Sequence, residues 1–423
     1  MKKKIRKILK FLKKWFIKIC SVTPLTKKMA LSLSAWWSKK RYESKFYKKF
    51  QVDDKIIMFE SFMGRQMSCS PKALYLAMVD DPKYKDYVKV WAFKHPEDYE
   101  YLTKNPNTVV VKFKSWQYYR YHASAKYWIT NSRIPNEIQI KPEQVYVQCW
   151  HGTPLKRLGY DIKHYTGSKS STEDLRKNYT IDAMRYTYML SPSDFYTEKI
   201  TSAFNLKALN KENIFIQKGY PRNDFLYAYK EEEADEIKKK LCVPAGKKII
   251  LYAPTWRENQ HEAGVGYTYS LGVDFDRLQK ELSDDYVILF RAHYFISNAF
   301  DFAKYNGFII NASDYDDINH LYVISDILIT DYSSVFFDYA NLNRPIIFYM
   351  YDFEEYKNQM RDFYFGIEEL PGPIVKEEDG LIEAIKKAGE EEFVPDETYV
   401  KFNDKFNPYR EPCSAKVLED IIS

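Results

Sequence analysis

Cysteine, glycine and long apolar runs are what this chain has least of. Its five cysteines, Cys20, Cys69, Cys149, Cys242 and Cys413, are scattered and odd in number. No pair has metal-ligand spacing, so neither a disulfide scaffold nor a zinc module is expected. The pattern fits reduced thiols in a cytoplasmic protein. No apolar run approaches the ~18 residues that a membrane-spanning helix needs. The amino terminus does not read as a secretory signal, because Lys13, Lys14 and Lys18 interrupt its apolar stretch. With 14 glycines and 18 prolines in 423 residues, a collagen-like or linker-dominated chain is excluded. A Walker A loop, a G-x-G-x-x-G fingerprint, an H-E-x-x-H motif and a G-x-S-x-G elbow are all missing. That argues against a P-loop ATPase, a dinucleotide dehydrogenase, a zincin and a serine hydrolase. Asp314, Asp316 and Asp317 read as the first-turn acids of a helix rather than as metal ligands. No metal and no cofactor is expected.

What is present is globular: 45% hydrophobic and 29% charged residues, in a length that suits two domains and an appendage. The net charge of +6 is unevenly placed. Residues 1–49 hold 15 lysines and two arginines against one acid, Glu43, so the arm carries +16 and the remainder −10. A nucleic-acid-binding body would carry its positive charge on the fold, so no nucleic-acid partner is expected. Within the arm, Ile5, Ile8, Leu9, Leu12, Trp15, Phe16 and Ile19 recur in steps of three and four. That is one helical stripe, and lysines fill most of the other face. Such a helix suits a membrane interface, where each basic residue near an anionic leaflet adds roughly 1 kcal/mol. Leu31, Leu33, Ala35, Trp36 and Trp37 make a second apolar patch, followed by Lys39, Lys40 and Arg41. The arm is expected to hold the protein peripherally on the cytoplasmic face of the membrane. Docking on its own body is the plain alternative.

After Val52, short β-rich runs alternate with helical stretches. Strands are expected at 55–60, 88–93, 108–112, 127–130, 145–150 and 188–191, then at 249–253, 286–290, 308–311, 327–330 and 346–349. Helices fit 70–79, 194–203, 230–241, 274–283, 316–324, 334–342 and 379–391. The alternation implies parallel sheets covered by helices. The fold class is α/β, with two doubly wound halves around a cleft. The expected units are a basic arm (1–49), an amino-terminal half (50–240), a carboxy-terminal half (241–395) and a tail (396–423).

Four clusters fall at strand ends of this reading. The first, Gln148 to Lys156, places His151 straight after a strand, with Gly152 allowing close backbone approach. His151 is a general base or a hydrogen-bonded turn residue. Thr153 lies beside it, and Lys156 is suited to an anion. The second, Tyr252 to Glu258, offers Thr255 and Arg257 to a phosphate. The third brings Arg291 and His293 two residues apart, a cationic pair suited to a diphosphate. The fourth, Ile327 to Asp338, runs from a β-branched strand through Asp331 into Ser333 and Ser334. Those serines either cradle a phosphate at a helix start or simply cap it. Gly219 to Asp224, which includes Arg222, is a hinge or a ligand loop.

Trp150-His151-Gly152-Thr153-Pro154-Leu155-Lys156, Gly219-Tyr220-Pro221-Arg222-Asn223-Asp224, Tyr252-Ala253-Pro254-Thr255-Trp256-Arg257, Arg291-Ala292-His293 and Thr330 through Asp338 resemble, in order, the signature blocks of the CDP-glycerol glycerophosphotransferases. The resemblance implies a GT-B fold with amino-terminal helices on the membrane. It also implies a teichoic acid primase or polymerase using a CDP-polyol donor and a lipid-linked acceptor. His151 then corresponds to the base on the acceptor hydroxyl, with Gly152, Thr153, Lys156 and Arg222 on the acceptor side. His293 and Arg291 correspond to the donor cluster. Ser333, Ser334, Asp331, Thr255 and Arg257 lie about the donor phosphates, and Asp338 near its polyol. A homo-oligomer is compatible with the pattern. A glycosyltransferase using a nucleotide sugar and a non-catalytic membrane adaptor are the competing readings.

Overall fold

The structure is a computed structural model that describes residues 24–163, 171–255, 261–262, 266–267, 272–292, 300–354, 362–390 and 392–422. The Ile5–Ile19 stripe, Arg257 and His293 lie outside the described residues.

Seven strands form the first half: β1 (Asp53–Glu60), β2 (Val88–Phe93), β3 (Thr108–Lys112), β4 (Ala125–Thr130), β5 (Val145–Gln148), β6 (Tyr188–Ser191) and β7 (Phe215–Gln217). They make one parallel sheet in the order β3-β2-β1-β4-β5-β6-β7. The second half contributes β8 (Lys248–Ala253), a small antiparallel ribbon of β9 (His261–Glu262) and β10 (Gly266–Tyr267), and then β11 (Tyr286–Phe290), β12 (Ile309–Asn311), β13 (Ile327–Thr330), β14 (Ile346–Tyr349) and β15 (Ile374–Val375). Its main sheet is parallel in the order β12-β11-β8-β13-β14-β15. A parallel sheet covered on both faces needs strands that are apolar throughout. YVILF in β11, ILIT in β13 and IIFY in β14 meet that need and are buried along their whole length. The strand order reverses between β1 and β4 and again between β8 and β13, so a crevice is expected beyond the carboxyl end of each sheet.

Several elements depart from expectation for local reasons. The strand expected over 145–150 stops at Gln148, because Trp150 has φ +49° and a left-handed residue cannot continue a strand. The helix expected over 334–342 is one α-helical piece, Val335–Tyr339, followed by a 3-10 turn, Ala340–Leu342. An unexpected helix, Trp116–Ser124, is too rich in aromatics to show helical periodicity. Ser115 caps it by accepting a hydrogen bond from the Tyr118 N–H. Pro24–Tyr42 is also one helix, and it runs into a π turn at Glu43–Tyr47 that seats Phe46 in the first core.

The two halves are tied together repeatedly. Helix Glu397–Phe406 buries Tyr399, Phe402 and Phe406 in the second core. Helix Ser414–Ile421 then crosses back and buries Val417, Leu418 and Ile421 in the first. Arg222 of the first half and Asp338 of the second form a 2.9 Å ion pair whose side chains are 4% and 9% exposed. The Asn223 amide donates to the same carboxylate. At the other lip, Lys72 pairs with Asp317 at 2.6 Å.

Candidate active site

Both sheets open by their carboxyl ends onto one cleft of about 510 Å³. Residues 150–156 line it from the first half. Residues 253–255, 291–292 and 332–335 line it from the second.

The His151 turn is built by its neighbours. The Cys149 N–H donates to the Thr130 carbonyl at 2.7 Å, and the Trp150 N–H donates to Gln148 Oε1 at 2.9 Å. Trp150 takes its left-handed conformation here and stacks on the imidazole at 4.5 Å between ring centroids. His151 Nδ1 lies 2.9 Å from the Asn131 carbonyl oxygen, which can only accept. The proton therefore sits on Nδ1, and Nε2 is left with its lone pair. The ring is open to the cleft yet deep within it. Desolvation there, with Arg222 as a minor contributor, holds its pKa below the ordinary histidine value. It is thus neutral at physiological pH, the state a general base requires. Gly152 brings this turn against the second half: a Cβ at that position would lie 2.9 Å from Ser334 Oγ.

On the opposite wall, Asp331 joins two strand ends. Its carboxylate accepts the Thr255 N–H at 2.9 and 3.1 Å and also the Tyr332 N–H. Ser334 occupies the cap position of the Val335–Tyr339 helix, but its side chain makes no capping hydrogen bond. Both serines face the cleft. Arg291 lines it too, held by Nη1 donating to the Ala312 and Tyr315 carbonyls at 2.9 and 2.7 Å. Ala292 donates its N–H to Ser313 Oγ at 3.3 Å.

The cleft thus gathers His151, Gly152, Thr153, Lys156, Thr255, Arg291, Ser333 and Ser334. Asp331 is buried behind the wall as a positioning group. Arg222 and Asp338 are spent on each other at the interface between the halves, off the cleft lining. Sequence reasoning missed two contributors. Asn131 orients the histidine, and its only sequence signal was its place directly after β4. The strap 362–364 was the other. Its Asp362 carbonyl accepts the Arg157 N–H at 2.9 Å, and its Tyr364 N–H donates to the Leu155 carbonyl at 2.9 Å, so it braces the Lys156 turn from the second half. Among the described residues no cluster of histidine, cysteine and acids has metal-site geometry.

Two parallel α/β halves with polar strand ends converging on a shared cleft define a GT-B-like fold. A UDP-GlcNAc 2-epimerase from Neisseria meningitidis shares the fold, with a TM-score of 0.51 at 12% identity over 87% of this chain. Residues 42–423 match the model of the CDP-Glycerol:Poly(glycerophosphate) glycerophosphotransferase family, and the chain belongs to that family. It is 40% identical to the teichoic acid poly(glycerol phosphate) polymerase of Bacillus spizizenii, over 88% of this chain and 92% of that one. It is 37% identical to the teichoic acid glycerol-phosphate transferase of Staphylococcus aureus, over 83% of this chain and 90% of that one. It spans about half of a longer polymerase from Bacillus subtilis, 48% of that chain. The wall teichoic acid polymerase TagF, solved as a histidine-to-asparagine variant soaked with CDPG, superposes with a TM-score of 0.82 at 36% identity, covering 98% of this chain and 97% of that one.

Proposed function

We propose that the protein transfers glycerol phosphate from CDP-glycerol to a hydroxyl of a lipid-linked acceptor in teichoic acid synthesis, releasing CMP. Residues 50–240 serve the acceptor and residues 241–395 the donor. His151 Nε2 takes the proton of the acceptor hydroxyl as it attacks the β-phosphorus. Negative charge then grows on the nonbridging oxygens and on the departing CMP. Arg291, Thr255, Ser333 and Ser334 answer that charge, in keeping with catalysis of phosphoryl transfer by positioning and electrostatics. The reading also gives His293 and Arg257 to the donor diphosphate. Lys156 and Thr153 flank the acceptor.

The observation that carries this is the facing of two unlike walls. A neutral histidine with a free Nε2 stands on one, and cationic and hydroxyl groups stand on the other, with Gly152 and Ser334 in contact between them. The arm is assigned to the membrane surface. In support, Leu31, Leu33, Trp36 and Trp37 are half or more exposed on one helix that ends in Lys39, Lys40 and Arg41. Among the described residues, no helix is long and apolar enough to cross a membrane. The test is a donor screen with a lipid-linked acceptor analogue. CMP release from CDP-glycerol above that from CDP-ribitol is expected. UDP release from a UDP-sugar, with none from CDP-glycerol, would overturn the reading.

A further inference from the structure

Arg65, Lys94 and Lys114 stand on the turns that follow β1, β2 and β3. Those three turns are packed into one surface. The Lys94 N–H donates to the Gly64 carbonyl at 2.6 Å, and the Phe113 N–H donates to the Phe93 carbonyl at 2.7 Å. A Cβ at Gly64 would lie 3.0 Å from the Ala92 carbonyl oxygen, 3.3 Å from Lys94 N and 3.3 Å from Phe113 Cβ. Three cations are therefore held side by side. Among the described residues none of them has a carboxylate ion-pair partner, and the Lys114 ammonium rests 5.4 Å from the Phe113 ring centroid. Arg65 and Lys114 are exposed and Lys94 is half-buried. Burial first, then the charges of Arg65 and Lys114, hold the Lys94 pKa below its ordinary value. Glu60 lies buried beneath them, and burial raises its pKa to about 8, so below that pH it brings no full negative charge to the patch. A patch of this kind is short of an anion.

The patch is connected to the active site. Phe62, Met63 and Gly64 all have positive φ, of 46°, 57° and 72°. Such a strained run persists only where its surroundings hold it. Here Asn131 Oδ1 accepts the Phe62 N–H at 2.8 Å, and Ser132 Oγ accepts the Met63 N–H at 3.0 Å. The Phe62 ring is thereby set 5.8 Å from the His151 ring. The same Asn131 orients the His151 imidazole through its carbonyl. The sheet order places β2 three strands from β5, a displacement of about 14 Å along the carboxyl edge. The terminal unit of an acceptor seated at His151 does not reach that far, whereas the units behind it do.

We propose that Arg65, Lys94 and Lys114 form a subsite for phosphodiester groups of the acceptor chain, upstream of the glycerol unit whose hydroxyl is presented to His151. This rests on the reading that the acceptor is a glycerol phosphate chain. Guanidinium and ammonium groups favour phosphate oxygens, and a repeating polyanion can engage all three cations at once. The subsite acts on acceptor binding and takes no part in the chemical step.

The experiment compares soluble acceptor analogues carrying one or three glycerol phosphate units, with CDP-glycerol as donor. For Arg65→Ala combined with Lys114→Ala, KM for the three-unit acceptor should rise about tenfold. KM for the one-unit acceptor, KM for CDP-glycerol and kcat should stay at wild-type values. Arg65→Lys with Lys114→Arg should restore the preference for the longer acceptor, and added salt should weaken that preference in the wild type. Calorimetric titration of the three-unit acceptor reads the same patch without turnover. If the wild type binds that acceptor through the patch yet turns nothing over, the proposed function fails and the subsite stands. Equal KM changes for both acceptors, or none, would overturn the subsite. So would loss of binding to anionic phosphatidylglycerol vesicles with the chain-length preference intact, since the patch would then face the bilayer.

Discussion

His151 and Glu60 both sit close to a strand's carboxyl end in the first half, and their surroundings drive them to opposite uses. His151 keeps a lone pair toward the cleft because Asn131 fixes its other nitrogen. Glu60 is wholly buried and takes a 2.9 Å hydrogen bond from the Tyr118 hydroxyl. Burial pushes its pKa up to about 8, against 4.5 for an ordinary glutamate, with the Tyr118 hydrogen bond opposing. The folded protein therefore holds a proton that the unfolded chain releases above its own glutamate pKa. Stability should fall as pH rises from about 4.5 toward 8, and then level off. A shift of that size corresponds to about 5 kcal/mol at most. Glu60→Gln should remove this slope, so its melting temperature should exceed the wild-type value at pH 8.5 and approach it at pH 5. Parallel melting curves for the two proteins across that range would show that Glu60 is ionised in the native state. Sequence could flag the acid at a strand end. It could not show that the side chain turns inward to Tyr118, fifty-eight positions along the chain.

At the scale of elements, the strands were the legible part. Runs such as YVILF and ILIT are β-branched or apolar throughout, and such runs fit only a covered parallel sheet. Turn geometry was less legible. Nothing in the residue type of Trp150 announces a left-handed backbone, and yet that conformation ends β5 and aims His151. The cluster reading of 330–338 located Ser333 and Ser334 on the cleft wall, but it overestimated the helix behind them. The arm gives a prediction at this scale. Removing residues 1–40 takes away the Ile5–Ile19 stripe, Trp36 and Trp37, and leaves Tyr42 and Phe46 in the first core. The truncated protein should keep its melting temperature and turn over a soluble acceptor, but should no longer sediment with anionic liposomes. Sedimentation as complete as that of the full chain would remove the arm as the anchor.

At the scale of the whole molecule, the cleft exists because the halves are held face to face. Arg222 and Asp338 are distant in sequence, and each read naturally as a ligand-binding group beside its own motif. The fold also pairs them with each other across the interface, with the Asn223 amide donating to the same carboxylate. A buried pair of this kind is costly to break on one side, because the partner charge is then left unpaired. Sequence periodicity reports on local elements and cannot show contacts of this range. For the same reason it did not reveal the strap at 362–364 or the return of helix Ser414–Ile421 to the first core. The central claim is a division of labour: acceptor chemistry on the first half, donor binding on the second. Calorimetric titration of CDP-glycerol into two variants, paired with single-turnover rates, tests it most directly. His151→Ala should bind the donor as the wild type does, while its rate falls by about 10²–10⁴. Ser333→Ala with Ser334→Ala should weaken donor binding by ~1–3 kcal/mol while the fold is retained. Donor affinity lost in His151→Ala but intact in the double serine variant would contradict the account.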